Sequence, residues 1–145
     1  MRISINENKQ LDDIVVEISC PKITDEVNQM VASLQARESK MFGVSEGKTY
    51  LLNSDDVFYI ESVEGNTFLY AKEKVLESPL RLYEVEERLA GTEFIRISRQ
   101  MIVNFDKVSA IKPDMNARMR LILTNGEVVI VSRQFAPAIK KKIGL

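Results

Sequence analysis

Residues 50–131 form a succession of short apolar runs separated by turn residues, and this pattern restricts the fold more than any other feature of the chain. The runs are rich in Val, Ile, Tyr and Phe, which is typical of strands. Asn125-Gly126 lies between two alternating runs and indicates a tight hairpin, and a second turn is expected with a positive φ at Gly65 or Asn66. The pattern predicts antiparallel strands over residues 50–52, 57–63, 67–71, 74–76, 94–97, 101–104, 108–111, 119–123 and 128–131.

Two helical patterns accompany these strands. One is expected over residues 78–89, with Ser78 as its N-cap, Pro79 at its first position and Gly91 as its stop signal. The other is a terminal helix over residues 134–142. We therefore predict an α+β fold that is mostly antiparallel β, with one internal and one C-terminal helix, and no helix-turn-helix module.

The first 45 residues are expected to form a small N-terminal β-α-β unit. A weakly alternating run at 13–20 predicts a strand, Thr24 is expected to cap an amphipathic helix over 25–37, and 40–44 predicts a second strand. We assign residues 1–45 to a unit for dimerisation or regulation, and residues 46–145 to a β-rich domain. The apolar face of the helix, which core packing also explains, consists of Val27, Met30, Val31 and Leu34.

The residue content argues against catalysis. The chain has no histidine and one cysteine, Cys20, so neither a Cys/His metal cluster nor a histidine base can form. We expect Cys20 to be a buried structural thiol. Asp55 and Asp56 are adjacent, and neighbours on an extended chain point to opposite faces, so they would not share a site. We therefore expect no enzyme activity, metal, cofactor or small-molecule substrate.

The N-terminus lacks the features of a signal peptide. Met1-Arg2 is followed by polar residues instead of an apolar stretch, and the apolar runs are far shorter than the ~20 residues that cross a bilayer. We expect a soluble, cytoplasmic protein.

Charge is distributed unevenly along the chain. Residues 1–95 contain 10 Lys or Arg and 18 Asp or Glu, a net charge of −8, whereas residues 96–145 contain 10 Lys or Arg and 3 Asp or Glu, a net charge of +7. This asymmetry indicates a cationic surface for an anionic partner. The alternative is that the two halves interleave in space and their charges mix.

Five segments, in this order and spacing, resemble a known family. The chain contains DVFYIES at 56–62, FIRISRQMIVN at 94–104, VSAI at 108–111, LTNG at 123–126 and VSRQF at 131–135, followed by IKKKIGL. Together they resemble the LytTR domain, a bacterial DNA-binding fold, over residues 46–145. The resemblance is strongest to short standalone LytTR regulators, because 45 preceding residues are too few for a receiver domain.

The resemblance implies a β-rich domain that lies along one face of duplex DNA and inserts loops into successive major grooves. The family's contacts come from three places, which match Asn66 and Thr67, then Asn104, then Arg133. Some relatives have a histidine in the first loop, which this chain lacks. The resemblance also implies a homodimer at direct-repeat sites, and a small inhibitory membrane protein as a further partner.

The chemistry of these residues fits the same assignment. Arg133 can read guanine or clamp a phosphate, and the amide of Asn104 suits adenine or a phosphate oxygen. Arg99 and Gln100 are expected in a nearby loop between two strands. The last helix adds three consecutive cations suited to phosphate, Lys140, Lys141 and Lys142.

Each of these residues has a structural alternative. Arg133 could be a solvated surface cation, Asn66 and Asn104 turn residues, and the lysines a complement to the helix dipole. A non-DNA adaptor or an RNA-binding β-domain is the alternative function. RNA readers present aromatic side chains on a sheet, whereas core packing is expected here for Phe58, Tyr59, Phe68 and Tyr70.

Overall fold

The computed structural model describes residues 1–38 and 40–145. Within these ranges the chain forms three α-helices and ten β-strands. The helices are α1 (Asp25–Glu38), α2 (Leu82–Arg88) and α3 (Ala136–Lys142). The strands are β1 (Lys40–Ser45), β2 (Lys48–Asn53), β3 (Val57–Val63), β4 (Asn66–Ala71), β5 (Val75–Ser78), β6 (Phe94–Arg96), β7 (Met101–Asn104), β8 (Val108–Pro113), β9 (Met119–Leu123) and β10 (Val128–Val131).

The strands form two antiparallel sheets. The larger has seven strands in the order β2-β1-β5-β4-β3-β7-β6, and the smaller has three in the order β10-β9-β8. The hairpin between β9 and β10 turns at Gly126, whose φ of +89° is the left-handed conformation that glycine adopts without strain. The β-rich antiparallel class and the predicted hairpin are confirmed.

The central strands of the larger sheet are buried on both faces, and their side chains alternate between two core clusters. One face packs on α2, where Ile60 and Leu69 meet Val85. The opposite face packs on the smaller sheet and α3, where Val103 meets a cluster that includes Ile139. Burial of each such aliphatic side chain contributes about 1.5–3 kcal/mol, so the two clusters fix the sheets and helices around β3 and β7.

The expected start of the internal helix is wrong. Ser78 ends β5, and its hydroxyl accepts a hydrogen bond from the Leu80 amide instead of capping a helix. The helix begins at Leu82, where the Glu84 carboxylate accepts a 3.1 Å hydrogen bond from the Arg81 amide. Pairing of β5 with β4 therefore outweighs the Ser-Pro signal.

The expected β-α-β unit is also wrong in its first strand. Residues 13–20 form no strand, and Cys20 is exposed instead of buried. The helix is confirmed as α1, and the Thr24 hydroxyl accepts its cap bond from the Val27 amide at 3.4 Å. The second strand is confirmed as β1, but it pairs antiparallel with both β2 and β5 in the large sheet. The division at residue 45 and the role of the N-terminal unit stay predictions.

In the described part of the chain, no helix is long and apolar enough to cross a membrane.

Candidate nucleic-acid interface

Three loops lie in a row at one end of the large sheet. They are the β3–β4 turn, the β6–β7 loop and the β10–α3 loop. The Ser62 amide at the end of β3 donates a 2.7 Å hydrogen bond to the Gln100 carbonyl, and the Ser132 amide donates one of 2.9 Å to the Ile97 carbonyl. The middle loop is thus bonded to both neighbours, and the row is held by backbone contacts.

The first loop presents Asn66 but not Thr67. Glu64 and Gly65 both have positive φ, 51° and 84°, and they form a tight turn that leads directly into β4. Asn66 is exposed as the first residue of that strand, whereas Thr67 is 2% exposed between its strand partners Ser62 and Ser78. The predicted DNA contact by Thr67 is withdrawn, because its side chain does not reach the surface.

Arg96 holds the middle loop in place. Its Nε donates a 2.7 Å hydrogen bond to the Ser98 carbonyl, and its Nη2 donates to the Arg99 carbonyl. A third contact is an ion pair with Glu86 of α2, at 3.3 Å. Two loop carbonyls are therefore bonded to one guanidinium, and the side chains of Arg99 and Gln100 remain exposed. Sequence reasoning missed this role, for which the signal was a lone cation inside the apolar FIRI segment.

The third loop presents Arg133. The Ser132 carbonyl accepts hydrogen bonds of 3.0 Å from the amides of both Phe135 and Ala136, which turns the chain into α3. Arg133 is exposed on this turn, next to the middle loop. The fold thus brings Asn66, Arg99, Gln100 and Arg133 to one end of the sheet, although they come from sites 33 or more residues apart along the chain.

Asn104 lies in the core, in contrast to its predicted role. It is 1% exposed, its Nδ2 donates a 2.9 Å hydrogen bond to the Val57 carbonyl, and its Oδ1 accepts one of 3.1 Å from the Asp106 amide. It also ends β7, at the opposite end of that strand from the middle loop. The alternative interpretation, a turn-forming asparagine, describes this geometry, and Asn104 is withdrawn from the candidate interface.

The lysines of α3 lie apart from the row of loops. Lys140 and Lys141 are exposed in the last turn of the helix, about 10 Å from the Arg133 end at 1.5 Å per residue. Lys142 forms an ion pair with Glu93 at 3.1 Å and lies over the Phe105 ring. Lys140 and Lys141 are thus next to a residue that contacts the end of β6 and β7 opposite the middle loop, although their helix begins after the third loop.

The charges of the two halves mix in part, because Arg96 and Lys142 of the basic half pair with Glu86 and Glu93 of the acidic half. Among the described residues, Arg118 and Arg120 share one carboxylate, that of Asp114, at 3.5 and 3.4 Å. Arg99 and Arg133 form no ion pair within the same part of the chain. Their guanidinium groups are thus available to an anionic ligand.

The aromatic side chains do not form an exposed platform. Phe58 and Tyr59 are buried, and Tyr59 stacks on Tyr70 with ring centroids 4.4 Å apart. The Tyr59 hydroxyl donates a 2.7 Å hydrogen bond to Glu127 of the β9–β10 hairpin. Burial first, and the Glu127 carboxylate second, raise the pKa of Tyr59 above its usual value. The cluster joins the two sheets. The predicted core packing is confirmed for Phe58, Tyr59 and Tyr70, whereas Phe68 is half-buried and outside both core clusters of the described residues.

Fold and site together define a β-sheet DNA-binding domain whose loops, and not a helix-turn-helix, form the candidate interface. The chain belongs to the LytTR DNA-binding domain family: the family profile, described as the LytTr DNA-binding domain, matches residues 47–144. A solved LytTr DNA-binding domain, of a putative methyl-accepting/DNA response regulator from Bacillus cereus, is similar with a TM-score of 0.71 and 30% identity. The match covers 74% of this chain and 99% of that one.

Relatives of two lengths share sequence with the chain. The sensory transduction protein LytT of Enterococcus faecalis is 32% identical over 100 residues, which are 69% of this chain and 41% of that protein. This chain therefore spans well under half of that relative. An uncharacterized HTH-type transcriptional regulator of Staphylococcus aureus strain MRSA252 is 24% identical over 147 residues, which cover 100% of this chain and 99% of the relative.

Proposed function

We propose that this chain is a bacterial transcriptional regulator that binds duplex DNA sequence-specifically, by inserting loops into successive major grooves. The observation that carries the proposal is the row of three loops, which presents Asn66, Arg99, Gln100 and Arg133 at one end of the sheet. A rigid sheet with short loops supplies fixed positions for polar side chains, which base reading requires.

The candidate residues fall into two groups, which suit different contacts with DNA. Arg99 and Arg133 carry planar guanidinium forks, which match guanine O6 and N7, and the amides of Asn66 and Gln100 match adenine N6 and N7. Lys140 and Lys141 are point charges on a helix that flanks the row, so they suit phosphates, which contribute affinity without reading sequence.

Other parts of the proposal follow from a DNA-binding role. We propose a cytoplasmic protein that acts without catalysis, and a homodimer that occupies repeated sites. The relative named as a transcriptional regulator over the full length of this chain supports a regulatory role. A small inhibitory membrane protein stays a prediction from the resemblance to short LytTR regulators.

Selection from a pool of random duplexes tests the proposal. The full chain is incubated with the pool at low and at raised salt, and the retained duplexes are sequenced. A repeated motif, with repeats about one helical turn (~34 Å) apart, is the expected result. Duplexes retained without any enriched sequence would reduce the function to non-specific binding, and no retention even at low salt would overturn it.

Matched variants then separate base reading from phosphate binding. We expect Arg99→Ala and Arg133→Ala to cost about 1–3 kcal/mol on the selected duplex and far less on random duplex. Lys141→Ala should weaken binding to both duplexes alike. It should also reduce the slope of log affinity against log salt concentration by about one. Arg88→Ala, which removes the same charge from an exposed position at the end of α2, is the control.

A further inference from the structure

Part of the large sheet has an uncovered apolar face. Strand pairing places Tyr59, Tyr70 and Val75 on one face, and Glu77, two residues further along β5, pairs with Val44 on that same face. The smaller sheet covers this face around Tyr59. Over β5, β1 and β2 it is open within the described ranges, where four apolar side chains are 39–71% exposed: Phe42, Val44, Leu51 and Val75.

The same region ends in an open sheet edge. β2 is the outermost strand, and its six residues pair with β1 on one side only. An edge strand presents unpaired backbone N–H and C=O groups, which accept an added strand. β2 therefore has unpaired backbone groups along its outer side, and the face beside it has exposed apolar side chains.

Residues 13–20, here called the N-terminal arm, have the side-chain alternation of a strand but form no strand in the structure. Ile14, Val16 and Ile18 alternate with Asp13, Val15 and Glu17, which gives one apolar and one mainly acidic side with the period of a strand. Ile14 and Val16 are nevertheless 86% and 58% exposed. Among the residues that the structure describes, the backbone of this arm makes a single local bond, from the Ile14 amide to the Asp13 carboxylate.

We propose that the arm of one copy pairs with β2 of a second copy, and that two such exchanges form a symmetric dimer. With its apolar side chains on the face of Leu51, the arm places Ile14 and Val16 beside Leu51 as cross-strand neighbours and continues the apolar face past β2. Its acidic side then lies on the opposite face, where Lys48 begins β2 and Lys74 lies over the Tyr50 ring. Apolar and charged sides of the arm thus both meet their complement in one register.

Each copy carries one arm and one edge, which is the condition for a closed two-fold dimer. β2 and β6 are the two ends of the seven-stranded sheet, about 29 Å apart at 4.8 Å per strand. The loop beside β6, which presents Arg99 and Gln100, is therefore the part of the sheet's candidate DNA surface that lies farthest from the second copy.

Sedimentation equilibrium of the full chain, from nanomolar to high micromolar concentration, tests the proposal. We expect a dimer, and we expect Val16→Asn in the arm and Leu51→Asn on the face each to raise its dissociation constant about tenfold or more. Both positions are exposed in the single chain, so folding is preserved. Ile3→Asn, at an equally exposed position outside the paired segment, is the control and should leave the constant unchanged.

If the wild-type chain is monomeric at all concentrations, the proposal is overturned, and the apolar face would have to bind a different partner. A dimer that both variants leave intact would overturn it as well. Affinity of Val16→Asn for a duplex with one half-site provides a separate readout, because it should equal that of wild type. If the chain does not dimerise but still binds this duplex, the dimer proposal fails and the proposed function stands. If the chain does not bind the duplex, the proposed function fails.

Discussion

Arg96 of β6 and Glu86 of α2 form an ion pair of 3.3 Å, and the same guanidinium binds the carbonyls of Ser98 and Arg99. The pair connects the helix on one face of the sheet to the loop at its end. Because an arginine fork can bond two carbonyls at fixed angles, Arg96 sets the conformation from which Arg99 and Gln100 project.

Removal of this contact should loosen the loop. We expect Arg96→Ala to weaken binding to the selected duplex about tenfold, equivalent to about 1.4 kcal/mol. Arg96→Lys should recover only part of the affinity, because an ammonium lacks the planar fork. Hydrogen exchange of the amides of residues 98–100 is the decisive measurement, since it should accelerate in both variants. An equal loss on selected and random duplex, with unchanged exchange, would mean that Arg96 acts only as a charge.

Asn104→Ala should affect stability and not sequence reading. The substitution leaves the Val57 carbonyl, whose bond to Asn104 is buried, without this partner, which costs about 1–3 kcal/mol, and it also removes the part-buried bond from the Asp106 amide. Urea denaturation measures the loss, and titration of the remaining folded protein measures its DNA preference, which should match wild type. A variant of normal stability that loses affinity for the selected duplex alone would restore the predicted base contact.

The sequence predicted the strands well because most of them bury at least one face. β7, β9 and β10 have the predicted bounds, since their apolar periodicity coincides with their burial. The start of α2 was not predictable from local signals, because Ser78 bonds to its own loop at the end of β5. The strand at 13–20 failed for a different reason: its side chains alternate as in a strand, but among the described residues its backbone pairs with no sheet strand.

Part of the candidate site could also be predicted from the sequence. Exposed cations in loops, such as Arg99 and Arg133, are recognisable because loops lie at the surface. A polar residue at the end of an apolar strand is ambiguous, because the sequence does not show which way its side chain points. Asn104 points inward, and only its two hydrogen bonds reveal this.

Tyr59 should make the protein sensitive to alkali. Burial and the Glu127 carboxylate raise its pKa in the folded state, so the unfolded chain loses this proton first. Its contribution to stability is therefore complete below pH of about 10, and it falls as the pH rises further. Tyr59→Phe should lower stability at neutral pH but flatten the decline in alkali, as followed by thermal denaturation between pH 8 and about 11. Equal alkaline slopes for both proteins would contradict this assignment.

A substitution at Gly43 tests whether β1 belongs to the same folded unit as the rest of the sheet. It is buried in β1, and a Cβ at this position would lie 2.5 Å from the Cβ of Leu76 in β5. Because backbone on both strands would have to shift, Gly43→Ala should destabilise the protein by about 1–3 kcal/mol in thermal denaturation. Ser45→Ala, in the same strand, is the matched control and should be nearly neutral. A Gly43→Ala variant as stable as wild type would show that β1 is not packed on β5.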